Sequence, residues 1–209
     1  MKKILTIIGL AAATLAGAQA QVLVTNPITG ANPNTSNPYI IGQTVNGNIT
    51  FSGIGRGAGN LGTNANDRYN ANSWDSAALD PTAYFTFTLT PNVSVDIDFV
   101  SFVYTGQASG TGPTSFAFRS SVDSFVASVG TPTATGATIS LSGASFQNVT
   151  SPIEFRLYAF GASSSGGTFS VNDFTFNATA VPEPSTSLLI GLGSAFMLWN
   201  LRRRRSFIA

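Results

Sequence analysis

Phe85, Phe87 and Leu89 alternate with Tyr84, Thr86 and Thr88. A period of two is what a strand with one buried face requires, because successive side chains point to opposite sides of the pleat. Pro91-Asn92 supplies a turn. Beyond it Val93, Val95, Ile97 and Phe99 share a face, with Ser94, Asp96 and Asp98 opposite, and the apolar phase then switches to Val100, Phe102 and Tyr104. Slipping by one residue turns every later side chain to the other face, so the switch predicts a bulge near Phe99-Val100. A second slip falls at Asn172-Asp173, where Phe169 and Val171 give way to Phe174 and Phe176. Further strands are expected at 22–25, 47–52, 115–120, 125–129, 138–142, 153–160 and 168–176. About eight or nine short strands without helical periodicity between them mean an all-β fold, an antiparallel β-sandwich. Their number and the length of the loops favour a jelly-roll-like arrangement over an immunoglobulin-like one. No repeat of 20 to 50 residues points to a propeller or a β-helix.

The two ends obey different rules. Lys2 and Lys3 precede an uncharged apolar stretch at 4–17, and Ala18-Gln19-Ala20 fits the small-x-small cleavage pattern. Residues 1–20 thus read as a signal peptide cut before Gln21, with an uncut N-terminal anchor as the alternative. At the other end, Pro182 and Pro184 hold Glu183 in extended backbone. An uncharged apolar run follows, and then Arg202, Arg203, Arg204 and Arg205. Residues 188–201 as a helix span roughly 21 Å at 1.5 Å per residue, against a hydrocarbon core of about 30 Å. Starting the helix at about residue 185 and letting the arginines snorkel brings it to a marginal transmembrane span. The arginines then act as a cytoplasmic stop-transfer block. A buried core helix, the other reading of the apolar run, does not ordinarily end in four consecutive arginines.

Pro182-Glu183-Pro184, the following Ser185-Thr186, one hydrophobic segment and the arginine cluster together resemble the PEP-CTERM sorting signal of exported proteins of Gram-negative, exopolysaccharide-making bacteria. The resemblance covers roughly residues 182–209, which sets 181–209 apart as the sorting signal and leaves 21–180 as the extracellular β-sandwich domain. It implies that Pro182, Glu183 and Pro184 are read by an exosortase, an integral-membrane transpeptidase. The body would then be exported by the general secretory pathway, held transiently at the inner membrane, and handed to a cell-surface or polysaccharide acceptor. The stretches Gly112 to Ser121 and Phe155 to Gly161 are also similar to β-domains that often accompany this tail.

With the ends set aside, the charge balance changes sign. The whole chain is +1, but Lys2, Lys3 and the four terminal arginines hold six of its ten cations. Between Gln21 and Val181 stand Arg56, Arg68, Arg119 and Arg156, against seven aspartates and Glu154, a body of about −4 with no lysine. Such a body does not suit nucleic acid, whose phosphates need clustered cations. The chain has no cysteine and hence no disulfide framework.

Without histidine or cysteine, the usual general base, the zinc and copper ligands and the Ser-His-Asp and Cys-His constellations are all missing. Carboxylates remain. Asp96 and Asp98 lie two apart on one strand, about 7 Å, the range of paired glycosidase carboxylates, although an Asp-Ile-Asp alternation is also the ordinary pattern of a solvated strand face. Glu154, Arg156 and Tyr158 share another face, with an ion pair expected between the first two. The Asn/Asp-rich stretch 60–75 offers oxygen ligands that suit calcium, Asp67 and Asp75 being the candidates, and Trp74 offers either a stacking face for a sugar or a core plug. The stretch has no EF-hand spacing, and no resident cofactor is expected. The readings are therefore a non-catalytic surface or biofilm-matrix protein that binds glycan weakly, a secreted carbohydrate-active enzyme using Asp or Glu, and an unprocessed membrane-anchored surface protein.

Overall fold

The computed structural model describes residues 19–182 and Met197. The signal-peptide segment through Ala18, Glu183 and Pro184 of the motif, the expected helix at 185–201 apart from Met197, and Arg202 to Arg205 lie outside the described residues. Among the described residues no helix is long and apolar enough to cross a membrane.

The described chain is all-β. It forms β1 (Gln21–Asn26), β2 (Thr44–Val45), β3 (Ile49–Arg56), β4 (Leu61–Gly62), β5 (Tyr69–Asn72), β6 (Tyr84–Pro91), β7 (Val95–Ala108), β8 (Ser115–Ser120), β9 (Gly136–Ser140), β10 (Ile153–Phe160) and β11 (Phe169–Pro182). Two short 3-10 turns, Ser121–Asp123 and Ala144–Phe146, are the other regular elements. Every strand pair is antiparallel. One sheet has the order β3-β6-β10-β8. The other is built on β11: one edge pairs with β7 along its length, and the opposite edge is shared by β5 (at 169–171) and β1 (at 174–178). β2, β4 and β9 complete that sheet outside β1, β5 and β7. From β3 onward the chain changes sheet at every step, with β4 and β5 counting as one unit.

The two sheets face one another across an aromatic core. Phe87 of β6 lies 5.1 Å from both Phe102 and Phe174 and 5.7 Å from Phe176, while Phe118 of β8 stacks on Phe102 at 4.8 Å. Phe155 of β10 meets Phe99, Phe118 and Phe176. Edge-on and offset pairs of this kind add about 0.5–1.5 kcal/mol each beyond their buried area, which suits a body that has no disulfide. The alternation in β6 is followed residue for residue: Phe85, Phe87, Leu89 and Pro91 are buried and the residues between them are not.

Both slips in the apolar phase are bulges, and they fall on the paired strands β7 and β11. Ser101 pairs with Asn177 and Phe99 with Ala178, leaving Val100 over; Gly106 pairs with Val171 and Thr105 with Asp173, leaving Asn172 over. Each extra residue resets the phase, so that Ile97, Phe99, Phe102 and Tyr104 all face inward, as do Phe169, Val171, Phe174 and Phe176. Two further bulges lie between Phe51 and Ile54 of β3, where Gly53 has φ +86°, and between Val22 and Val24 of β1.

Two expectations need correction. Residues 125–129 are not a strand: Ser124 and Phe125 have φ 60° and 62°, two consecutive left-handed residues that turn the chain out of extended backbone. The Asp123 carboxylate accepts from the Val126 and Ala127 amides and closes a turn there instead. The strand expected at 47–52 runs on to Arg56, and the Asn/Asp-rich stretch 60–75 is not all loop, because β4 and β5 lie inside it. Arg56 organises this region. Its guanidinium donates to the carbonyls of Asn34, Ser36 and Asn70 and stacks on Tyr69, 4.4 Å from the ring centroid. Burial lowers the pKa of Arg56, and it raises that of Tyr69 to about 12.

Candidate binding face

The outer surfaces of the two sheets differ in chemistry. On the β11 sheet, Thr25 meets Thr175, Asn177 donates to Ser101, and Thr105 donates to Asp173. On the four-stranded sheet, the residues of β6, β8 and β10 that point away from the core bring together arginine, tyrosine and glutamate. In-register pairing sets Glu154 beside Thr88, Arg156 beside Thr86 and Arg119, and Tyr158 beside Tyr84 and Ala117.

Arg156 is the centre of this group. Its Nε donates to Glu154 Oε1 at 2.7 Å, and Thr86 Oγ1 donates to the same oxygen at 2.9 Å. Its guanidinium lies between two rings, 4.2 Å from the Tyr84 centroid and 3.8 Å from that of Phe125. Burial pulls the Arg156 pKa down, but the hydrogen bonds to Glu154 and Tyr158 outweigh it and the net shift is upward. Tyr84, edge-on to Tyr158 at 5.4 Å, has a raised pKa because burial penalises its phenolate. The ion pair expected from the spacing is thus present, half-buried and clamped by aromatics.

Arg119 stands directly across from Arg156. It lies 5.9 Å over the Tyr158 ring, and its Nη1 donates to the Phe125 carbonyl at 2.9 Å. Its Nε is buried without a hydrogen-bond partner. Like charges opposed across strands cost on the order of 0.2–1 kcal/mol, and a single carboxylate, Glu154, shares the two guanidiniums' face. Beside this group an open cleft of about 290 Å³ has a mixed lining, with the polar side chains of Ser121, Gln147, Asn148 and Thr150 set among apolar ones such as Val122 and Val149.

The other sequence-derived candidates are placed elsewhere. Trp74 is 1% exposed, donates from Nε1 to Ala71 O, and packs edge-on against Phe85 and Phe169, so it is a core plug rather than a stacking platform. Asp67 accepts from the Gly30 amide at 2.6 Å on a polar cleft lined with Asn32 and Asn66, and Asp75 is exposed on the chain beyond β5. Among the described residues no three acidic, histidine or cysteine side chains come together. Asp96 and Asp98 are half-buried rather than freely solvated. Asp98 accepts from the Asn148 amide at 2.7 Å, because the 144–150 segment returns to bridge β7 at Val149. Ala20 is exposed and Gln21 opens β1. Neither Phe125 nor Arg119 stands out in the sequence, since Phe125 sits in a stretch that alternates like a strand.

Pro182, the first residue of the Pro-Glu-Pro motif, is the last residue of β11 and pairs with Val95; Val181 pairs with Asp96. No curated protein and no solved structure matches the chain. Residues 180–205 match the PEP-CTERM protein-sorting motif, so the chain carries the signal that directs exported proteins to an exosortase at the membrane and on to the cell surface.

Proposed function

We propose that this protein is a non-catalytic component of the cell surface or exopolysaccharide matrix. It is exported by the general secretory pathway behind a cleaved signal peptide and sorted by an exosortase at Pro182-Glu183-Pro184. Its sandwich, a jelly-roll variant in which successive units cross between sheets, binds glycan on the outer face of the four-stranded sheet. The observation that carries this reading is the sorting motif at 180–205, joined to the sheet by β11 without an intervening loop. Support for a non-catalytic body comes from the absence of histidine and cysteine in the chain and from carboxylates that serve local bonds, as Glu154 and Asp98 do. Binding of glycan is supported by Arg119, Arg156 and the half-buried Tyr84 beside a cleft of mixed polar and apolar lining.

The test is mass spectrometry on the extracellular form of the wild type and of a Pro182→Ala, Glu183→Ala, Pro184→Ala variant. The wild type should begin at Gln21 and lack the arginine cluster, and the variant should stay untrimmed at the membrane. Equal trimming and display of both would overturn the sorting reading, and hydrolysis of a polysaccharide by the extracellular form would overturn the non-catalytic one.

A further inference from the structure

We propose that Arg119 and Arg156 form a subsite for the carboxylate of an acidic saccharide unit, and that Phe125 covers it until the ligand binds. The inference rests on the glycan-binding reading and names the class of glycan. Two of the four arginines of a net-acidic body stand opposed on one sheet face, sharing that face with the single carboxylate Glu154. A polyanion is repelled by such a body in general and attracted at this spot. A guanidinium presents donors in a fork that matches a carboxylate, and Arg119 has a donor to spare, since its Nε is buried without a partner.

Beyond the Glu154 pair and the tyrosine rings, the two arginines hold one residue in common. Arg119 grips the Phe125 carbonyl and Arg156 stacks on the Phe125 ring. Phe125 thus sets an oxygen acceptor on Arg119 and an apolar face on Arg156; a uronate unit would replace the first with its carboxylate and the second with the C–H face of its sugar ring. Phe125 does so in unfavourable backbone: it and Ser124 are consecutive non-glycine residues in the left-handed region, where a bulky side chain is rare. Strain of this kind persists where surrounding contacts impose it, and here they include those two arginines, the hydrogen bond that the Phe125 amide donates to Ser120 O, and the Asp123 carboxylate that holds the next two amides. Val122 and Val126 on either side are exposed, so lifting the segment would draw neither of them out of the core. The cleft of mixed lining begins at Ser121, at the root of the same segment, and its polar and apolar parts suit the hydroxyls and the C–H faces of adjoining sugar units.

The experiment is affinity electrophoresis and calorimetry on the extracellular form purified from producing cells, with polygalacturonate as the acidic probe and dextran as the neutral one. Polygalacturonate should bind, weakening as salt screens the charges, and dextran should not. Arg119→Gln should lose about tenfold in affinity, and Phe125→Ala should gain roughly threefold because the covered state is removed. Melting curves establish that both variants remain folded. Should Arg119→Gln not fold, the salt dependence of the wild type and the gain in Phe125→Ala decide. Polygalacturonate binding that is indifferent to salt, or unchanged in folded Arg119→Gln, overturns the subsite, and weaker binding by Phe125→Ala overturns the cover. Binding of dextran alone would overturn the acidic class while leaving the glycan reading intact. Binding of neither probe would overturn the acidic subsite and the glycan reading together, with the sorting reading still judged by its own mass spectra.

Discussion

Tyr69 and Tyr104 each combine a buried ring with a hydroxyl that has a partner. Tyr104 donates to Thr133 O at 2.6 Å and accepts from the Thr133 amide, and Tyr69 donates to Ser36 O. Burial raises both phenols from 10 to about 12. A pKa raised by folding means that the unfolded chain loses its proton first. The contribution of these tyrosines to stability is therefore complete below pH 10 and is lost as pH rises through 12. Urea unfolding of the extracellular form should show stability falling across that window. Tyr104→Phe should cost about 1–2 kcal/mol at pH 8, where Thr133 loses its partner. The same variant should show a shallower decline between pH 10 and 12, and an unchanged slope would mean that Tyr104 is not among the groups responsible.

At the scale of the element, the bulges decide whether β7 and β11 can be one pair of long strands. Val100 is a spacer: exposed to 39%, it packs little of its own side chain, yet its presence keeps Phe102 and Tyr104 on the same side as Ile97 and Phe99. Deleting Val100 should turn one of those two pairs outward and lose more than about 4 kcal/mol, the range of gross core disruption. Val100→Thr keeps the residue count and should change stability by less than about 0.5 kcal/mol. Chemical denaturation of the two variants separates spacing from side chain, and equal losses would refute the spacer role. The bulges are legible in the sequence because an inward face tolerates no polar side chain, so a shift of phase leaves a mark in the residues. The segment at 125–129 is not legible in that way. Phe125, Ala127 and Val129 alternate acceptably for a strand, but Phe125 is recruited by Arg119 of β8 and by Arg156 of β10, which is distant in sequence.

For the molecule as a whole, β11 is the spine. It is the strand that joins β7 to β1 and β5, and its residues Phe169, Val171, Phe174 and Phe176 are fully buried. A body trimmed anywhere before Ala178 would lose part of that core, whereas Val181 and Pro182 stand at the end of the ladder, paired with Asp96 and Val95. Processing of the tail should therefore leave residues through at least Ala180 on the extracellular form. Measured masses that end upstream of Phe176 on a folded protein would contradict the spine. Truncation after Val171 should abolish cooperative melting, while truncation after Ala180 should cost about 1 kcal/mol or less. The expected domain boundary at 180 thus falls two residues inside the last strand.

The sequence alone determines the all-β class, the two phase slips and the sorting motif, because each is written in residues adjacent along the chain: a period of two, a break in that period, and a Pro-Glu-Pro before an apolar run and arginines. It also shows that the body holds four arginines and neither lysine nor histidine. Only the tertiary structure decides what those arginines do. Arg56 is drawn inward to satisfy loop carbonyls, Trp74 closes the core, and Arg119 meets Arg156 because antiparallel register sets β8 against β10. Register depends on the packing of residues far apart in the chain, so the face it assembles has no local signature to read.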